Sequence, residues 1–294
     1  MMKGGIKERL EENSFIKLFK IAPKSAKTMT IIGAMLDIIL VVFVLFSPYI
    51  TPYDALEMSK DTLQAPSIRH IMGTDLLGRD LFSRLIAGTK YSLGVSLIAV
   101  GLSLTIGLLL GSISGYLSGP LDRFLMLIMD SLYVFPSFIF VLIMAVVLGP
   151  GIWQTALAVC FGRIPANYRM IRSITLSIKE RGFIEAEKIL GANNMHIILN
   201  HIAPFYLSIL FVTVSLGLAG GTLAIAGLGF LGLGIPPPTP EWGTELAMGR
   251  AFLLRGAWWG VVFPGVFVLT AMLGFNLLSE GLNTILNPAL RRLK

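Results

Sequence analysis

The chain has 294 residues, 54% of them hydrophobic and 14% charged, where a soluble domain carries about 25% charge. That balance excludes an ordinary soluble domain and places the chain among polytopic membrane proteins. The net charge of +7 does not mark a nucleic-acid binder, because Lys and Arg collect at the ends of apolar segments instead of forming one stripe. The single cysteine, Cys160, lies in an apolar run, so neither an intrachain disulfide nor a paired-Cys zinc site is available.

Residues 1–28 read as a basic cytoplasmic tail. The polar stretch before the first apolar run is too long for a cleavable signal, and no small-residue cleavage site follows that run. Phe15 to Ile21 alternates apolar and basic residues, which fits either an amphipathic helix on the inner membrane surface or a solvated tail. Six apolar segments follow, at 29–50, 91–117, 123–149, 152–175, 204–232 and 258–282. Each is long enough for a hydrocarbon core about 30 Å thick. They are expected to be helices, since isolated strands would leave backbone groups unpaired in lipid. Arg163, Pro165, Asn167 and Arg169 interrupt the fourth. Gly107, Gly111 and Gly115 give the second a smooth face at four-residue spacing, suited to close approach of another helix.

Orientation follows from the cations. With the N-terminus inside, the cytoplasmic segments hold 16 Lys and Arg residues and the outer segments hold 7. The expected arrangement is a multi-pass protein of the prokaryotic plasma or inner membrane with both termini cytoplasmic. Residues 51–90 form an extracytoplasmic loop, and 235–257 a second outer segment. A five-helix core spans 91–282, with a cytoplasmic loop at 176–203 and a tail at 283–294.

Charges inside spans are costly, so they usually face a cavity or a partner. Asp37, Asp130 and Arg163 are the candidates, either as a polar translocation lining or as interhelical ion pairs. For Asp130 structural pairing is the favoured reading. Gly227, Gly229 and Gly232 match G-x-G-x-x-G, but the run is apolar and ends in three prolines, with no βαβ context for a dinucleotide. No Gly-Lys dipeptide occurs, so there is no Walker A loop, and ATP must be hydrolysed elsewhere. His70, His196 and His201 lack metal-ligand spacing, and no Ser/His/Asp set is arguable. The chain is therefore expected to be no enzyme, with no cofactor and no metal site of its own. A self-sufficient secondary transporter or channel is the rival class. The sparse membrane charge and an elaborate cytoplasmic loop speak against it.

That loop is the most informative segment. From Lys179 to Pro204 nearly 30 residues stand where a simple connection needs only a few. Helical spacing places Phe183, Ala186, Leu190 and Ile197 near one face. Gly191 ends a first helix, and Asn193 or Asn194 caps a second. Such paired short helices offer themselves to a partner's groove.

Glu185-Ala186, then Gly191, then Pro204 resemble the EAA loop of ABC importer permeases. Further motifs resemble the dipeptide/oligopeptide/nickel subfamily, C-type subunit. They are His70-Ile-Met-Gly-Thr-Asp-Leu-Leu-Gly-Arg-Asp-Leu-Phe-Ser-Arg84, Phe135-Pro136 after Asp130, Phe230 through Gly243, Trp258-Trp259, Phe263-Pro-Gly265 and Asn276-Leu-Leu. Together they cover about residues 30 to 292. The sequence departs from the pattern at Glu187, His201, Ala203, Ile225, Glu280 and Asn287-Pro288-Ala289. The resemblance implies an all-α, six-helix type I ABC importer permease fold. It implies that Glu185, Ala186, Gly191 and Pro204 couple the chain to an ATPase subunit. The implied partners are a second homologous permease, two ABC ATPase subunits and an extracytoplasmic substrate-binding protein. The implied cargo is dipeptides or oligopeptides, with nickel or a nickel complex as the alternative.

Overall fold

The structure is a computed structural model describing residues 15–286, which are helical apart from loops and one isolated bridge between Thr74 and Asp80. The residues at 1–14 and 287–294, with the Asn287-Pro288-Ala289 departure, lie outside that range. Helix α1 (Phe15–Ile21) leads at Ala22 and Pro23 into α2 (Lys24–Ile50). Leu18 and Phe19 of α1 pack with Ala22, Ala26 and Ile285, so this segment closes one corner of the bundle.

On α2 the buried residues Ala26, Thr30, Gly33, Asp37 and Leu40 repeat every three to four positions, forming a narrow stripe. The stripe lies on the last long helix, α11 (Trp259–Leu286). Contact is backbone to backbone there: a Cβ on Gly33 would sit 2.5 Å from the Leu278 amide nitrogen. The rest of α2 exposes Ile31, Met35, Ile38, Val41 and Leu45, as expected of a surface facing lipid or another membrane subunit.

Helix α3 (Leu81–Leu117) has 37 residues, about 55 Å at 1.5 Å per residue. It starts ten residues before the predicted span because Asp80 caps it, accepting a hydrogen bond from the Ser83 amide. Leu81, Leu85 and Ile86 are buried beneath Trp242 and Trp259, so charge at Arg84 does not stop the helix. The stretch between α2 and α3 is thus residues 51–80.

The glycine stripe of α3 meets α6 (Ile152–Lys179). A Cβ at Gly107 would lie 2.6 Å from the Asn167 Cβ, at Gly111 2.8 Å from the Tyr168 carbonyl, and at Gly115 2.9 Å from the Arg172 carbonyl. Only glycine lets these two helices lie so close.

The third predicted span is not one helix. It is α4 (Gly119–Tyr133) and α5 (Ser137–Leu148), bent by 92° across Val134-Phe135-Pro136. Pro136 donates no backbone hydrogen bond and biases its predecessor away from helix, so the chain turns there. Four helices, α2, α3, α11 and the stretch Ile209–Phe230, are long and apolar enough to cross a membrane among the described residues, and the bent pair makes five. Helix α6 has the length but carries Arg163, Arg169 and Arg172. Its place in the bundle comes from packing on α3 instead of from hydropathy.

Short helices α7 (Gly182–Ile189) and α8 (Asn194–His196) form the projecting loop. A π-helical stretch, Ile197–Ile202, and a 3-10 turn, Ala203–Tyr206, lead into α9 (Leu207–Phe230). Helix α10 (Trp242–Arg250) fills what the sequence presents as an outer loop. Trp242, Gly243, Thr244 and Glu245 are buried, so this segment is part of the core.

Candidate functional site

Three groups of residues gather the chemistry-bearing side chains. The first joins the two signature segments around Arg84 and Glu241. Arg84 is fully buried and donates to Glu245 Oε1 through Nε at 3.0 Å and through a second nitrogen at 2.5 Å. It also donates to the Ala55 carbonyl at 2.6 Å, tying residues near 55 to α3 and α10. Glu241, four residues before Glu245, caps α10. Its carboxylate accepts from the Gly243 and Thr244 amides, both at 2.9 Å, and from Ser92 at 3.2 Å. Burial pushes this carboxyl above its ordinary range, while these hydrogen bonds pull it down. Trp242 donates its indole N–H to the Leu85 carbonyl at 3.0 Å.

The same region holds the 70–84 motif in a fixed shape. His70 Nδ1 lies 2.9 Å from Asp80 Oδ1, and Tyr53 stacks on the imidazole. Asp75 accepts from the Arg79 backbone and side chain. Gly73 has φ +78°, and a Cβ there would lie 2.6 Å from the Gln64 carbonyl, which accounts for the glycine of this motif.

The second group lies at the α4–α5 break. Arg163 of α6 projects beside Gly217 and Gly220 of α9 and lines a cavity of about 590 Å³ with Tyr133, Phe135, Pro136 and Phe138. Asp130 is one turn back along α4. It accepts two hydrogen bonds from Arg169, at 2.6 and 3.0 Å, and that guanidinium rests 4.1 Å from the Tyr133 ring centroid. Asp130 is thus placed in an ion pair, about 44% exposed. Asp37 lies elsewhere, between α2 and α11. It is buried against Gly274 with neither carboxylate oxygen hydrogen-bonded. The three sequence-selected charges therefore do not converge.

The third group is the loop after α6. Gly191, at φ +84°, ends α7, and Asn193 Oδ1 caps the next turn by accepting from the His196 amide at 2.7 Å. The loop turns four isoleucines inward and leaves other apolar residues outside. Ile184, Ile197, Ile198 and Ile202 pack with Tyr116, Ile171 and Ile178, whereas Phe183 is half exposed and Leu190 is 81% exposed. Of the residues placed on one face, Phe183, Ala186 and Leu190 are exposed and Ile197 is buried. Glu185, Ala186, Gly191 and Pro204 are all exposed. Two departures from the family pattern face each other, with His201 Nε2 3.6 Å from Glu187 Oε1.

Behind the loop lies a network the sequence did not reveal. Arg172 of α6 grips Asp122 of α4 through two hydrogen bonds, at 2.6 and 2.7 Å. Asp122 also accepts from Ser114, which meets Tyr168. Tyr206, at the end of the loop, reaches Thr175 at 2.7 Å and Ser112 at 3.0 Å. The loop is thereby hydrogen-bonded to both α3 and α6. Apart from Ser114 and Asp122, which are 8 residues apart, the partners lie 31 to 94 residues apart, so only the packing of the helices makes them visible.

The described residues thus form a helical bundle with membrane-length apolar helices and a braced loop at one end. Residues 107–292 match the family described as binding-protein-dependent transport system inner membrane component. The chain is 37% identical over 268 residues to the di/tripeptide transport system permease protein DppC of Pseudomonas aeruginosa, covering 88% of each chain. It is 39% identical over 265 residues to the glutathione transport system permease protein GsiD of Escherichia coli, covering 90% of this chain and 87% of that one. A chain from the inward-facing structures of the MetNI methionine ABC transporter shares the fold, with TM-score 0.53 at 18% identity, covering 69% of this chain and 97% of that one. The chain belongs to the binding-protein-dependent inner-membrane component family and is a permease subunit of an ABC importer.

Proposed function

We propose that this permease subunit imports short peptides, driven by ATPase subunits that dock on the α7–α8 loop. Peptide cargo is supported by relatives named for di/tripeptide, D,D-dipeptide and glutathione transport. The family description itself requires a substrate-binding protein. In this reading a second permease completes the pathway, both termini are cytoplasmic, and the chain itself carries no cofactor.

One observation carries the coupling role. The loop is seated firmly from behind, yet Phe183, Ile189, Leu190 and Met195 are left exposed around an exposed Glu185. An exposed apolar group rimmed by charge is a docking surface. Motion received there passes through Tyr206 into α3 and α6.

The test uses the assembled transporter in liposomes. Glu185→Arg should abolish uptake and lower substrate-stimulated ATPase activity while the subunit still inserts and binds its permease partner. Wild-type transport by that variant would remove the docking role. A cysteine placed at Lys188 should be labelled only from the cytoplasmic side.

A further inference from the structure

We propose that Arg163 is a binding residue for the carboxylate of the transported peptide, in the cavity beside the α4–α5 break. The idea rests on the peptide-import reading and adds to it a site and a recognised group. Three observations meet there.

First, the guanidinium is unmatched. Arg163 forms no ion pair among the described residues, and its buried Nε has no hydrogen-bond partner. The nearby acids are committed, Asp130 to Arg169 and Asp122 to Arg172. A cation kept inside a membrane bundle without a counter-ion is costly, and such residues mark substrate or ion pathways.

Second, there is room. The cavity of about 590 Å³ has no acidic residue in its lining, and Arg163 is its one charge. That volume suits a small ligand. Aromatic and apolar walls from Tyr133, Phe135, Pro136 and Phe138 fit peptide side chains of varied kind. Gly217 and Gly220 make space for the guanidinium: Cβ atoms there would stand 3.0 and 3.3 Å from its terminal nitrogens.

Third, the backbone itself is open on this wall. The break at Val134-Phe135-Pro136 interrupts the helix, and α5 begins without any side-chain cap. Irregular backbone at membrane depth is tolerated where it lines a cavity. Ser137 and Phe138, which open this uncapped helix, line the same cavity as the guanidinium, and a helix N-terminus and a guanidinium both favour an anion. Arginine's planar fork matches a carboxylate in two hydrogen bonds.

The experiment compares a free-acid dipeptide with its C-terminal amide, both delivered by the same binding protein to the full transporter in liposomes at saturating concentration. The readout is the ratio of the two uptake rates. Arg163→Gln should lower the ratio of acid to amide about tenfold, the worth of one charge-assisted pair, and Arg163→Lys about threefold because it keeps charge but loses the fork. An unchanged ratio in both variants, whether both substrates slow together or neither slows, overturns the assignment and leaves Arg163 a structural or subunit-pairing residue. If Arg163→Gln does not assemble, Arg163→Lys decides alone. Wild-type transporter that moves neither peptide overturns the peptide-import reading itself, and the assignment with it.

Discussion

The two ends of this bundle treat polar side chains in opposite ways. At the end built from residues 51–90 and 235–257, Arg84, Asp80, Glu241 and Glu245 are almost wholly buried, and each is hydrogen-bonded within the chain. At the loop end, Glu185 is exposed with no ion pair among the described residues, and Leu190 and Ile189 stand about four-fifths exposed. The first end keeps these charges within one chain. The other leaves charge and apolar surface open, as the proposed docking of an ATPase subunit requires.

The contrast can be broken by substitution. Arg84→Ala should have the largest effect, leaving Glu245 buried without its cation at a cost of about 3–5 kcal/mol. Thermal unfolding in detergent, or loss of folded protein on expression, reads this. Pairing Arg84→Met with Glu245→Leu should recover most of it, because replacing both charges avoids the orphan. Next comes Gly111→Leu, which drives a side chain into the Tyr168–Ile171 backbone of α6 and should cost about 1–3 kcal/mol by overpacking. A smaller loss, of up to about 1 kcal/mol, is expected for Asp130→Asn, since its pair with Arg169 is half exposed. The smallest effect on stability belongs to Leu190→Asp, within about 0.5 kcal/mol, although ATP-driven uptake should fail. If Leu190→Asp unfolds the protein as Arg84→Ala does, the loop is structural core and the distinction between the two ends disappears.

The sequence made local features visible and hid the long-range ones. The Gly107, Gly111, Gly115 stripe is readable because four-residue spacing on an apolar helix has a direct steric meaning, and α6 is the neighbour that uses it. The turn of the loop is readable for a similar reason: Gly191 supplies a positive φ and Asn193 a capping oxygen. The pairing of Arg84 with Glu245 spans 161 residues and carries no local signal. Nor does composition tell that residues 242–245 are core, because Glu241 and Glu245 look like loop charges until their partners are known. The break at Pro136 shows the limit in another way. Proline announces a bend, but the 92° angle depends on what α5 packs against. The burial of Ile184 is hidden for the same reason, since it is decided by Tyr116 and Ile178 and not by anything within the eight residues of α7.

The length of α3 carries a mechanical consequence. It is held at one tip by the Arg84 pair and along its flank by glycines seated on α6, while Tyr206 grips it near the other tip. Two rods fitted that tightly cannot slide past one another without lifting glycine Cα atoms off a facing backbone. A sideways nudge at Tyr206 is therefore answered by the pair swinging together about its clamped tip, and the widest arc is swept at the loop itself.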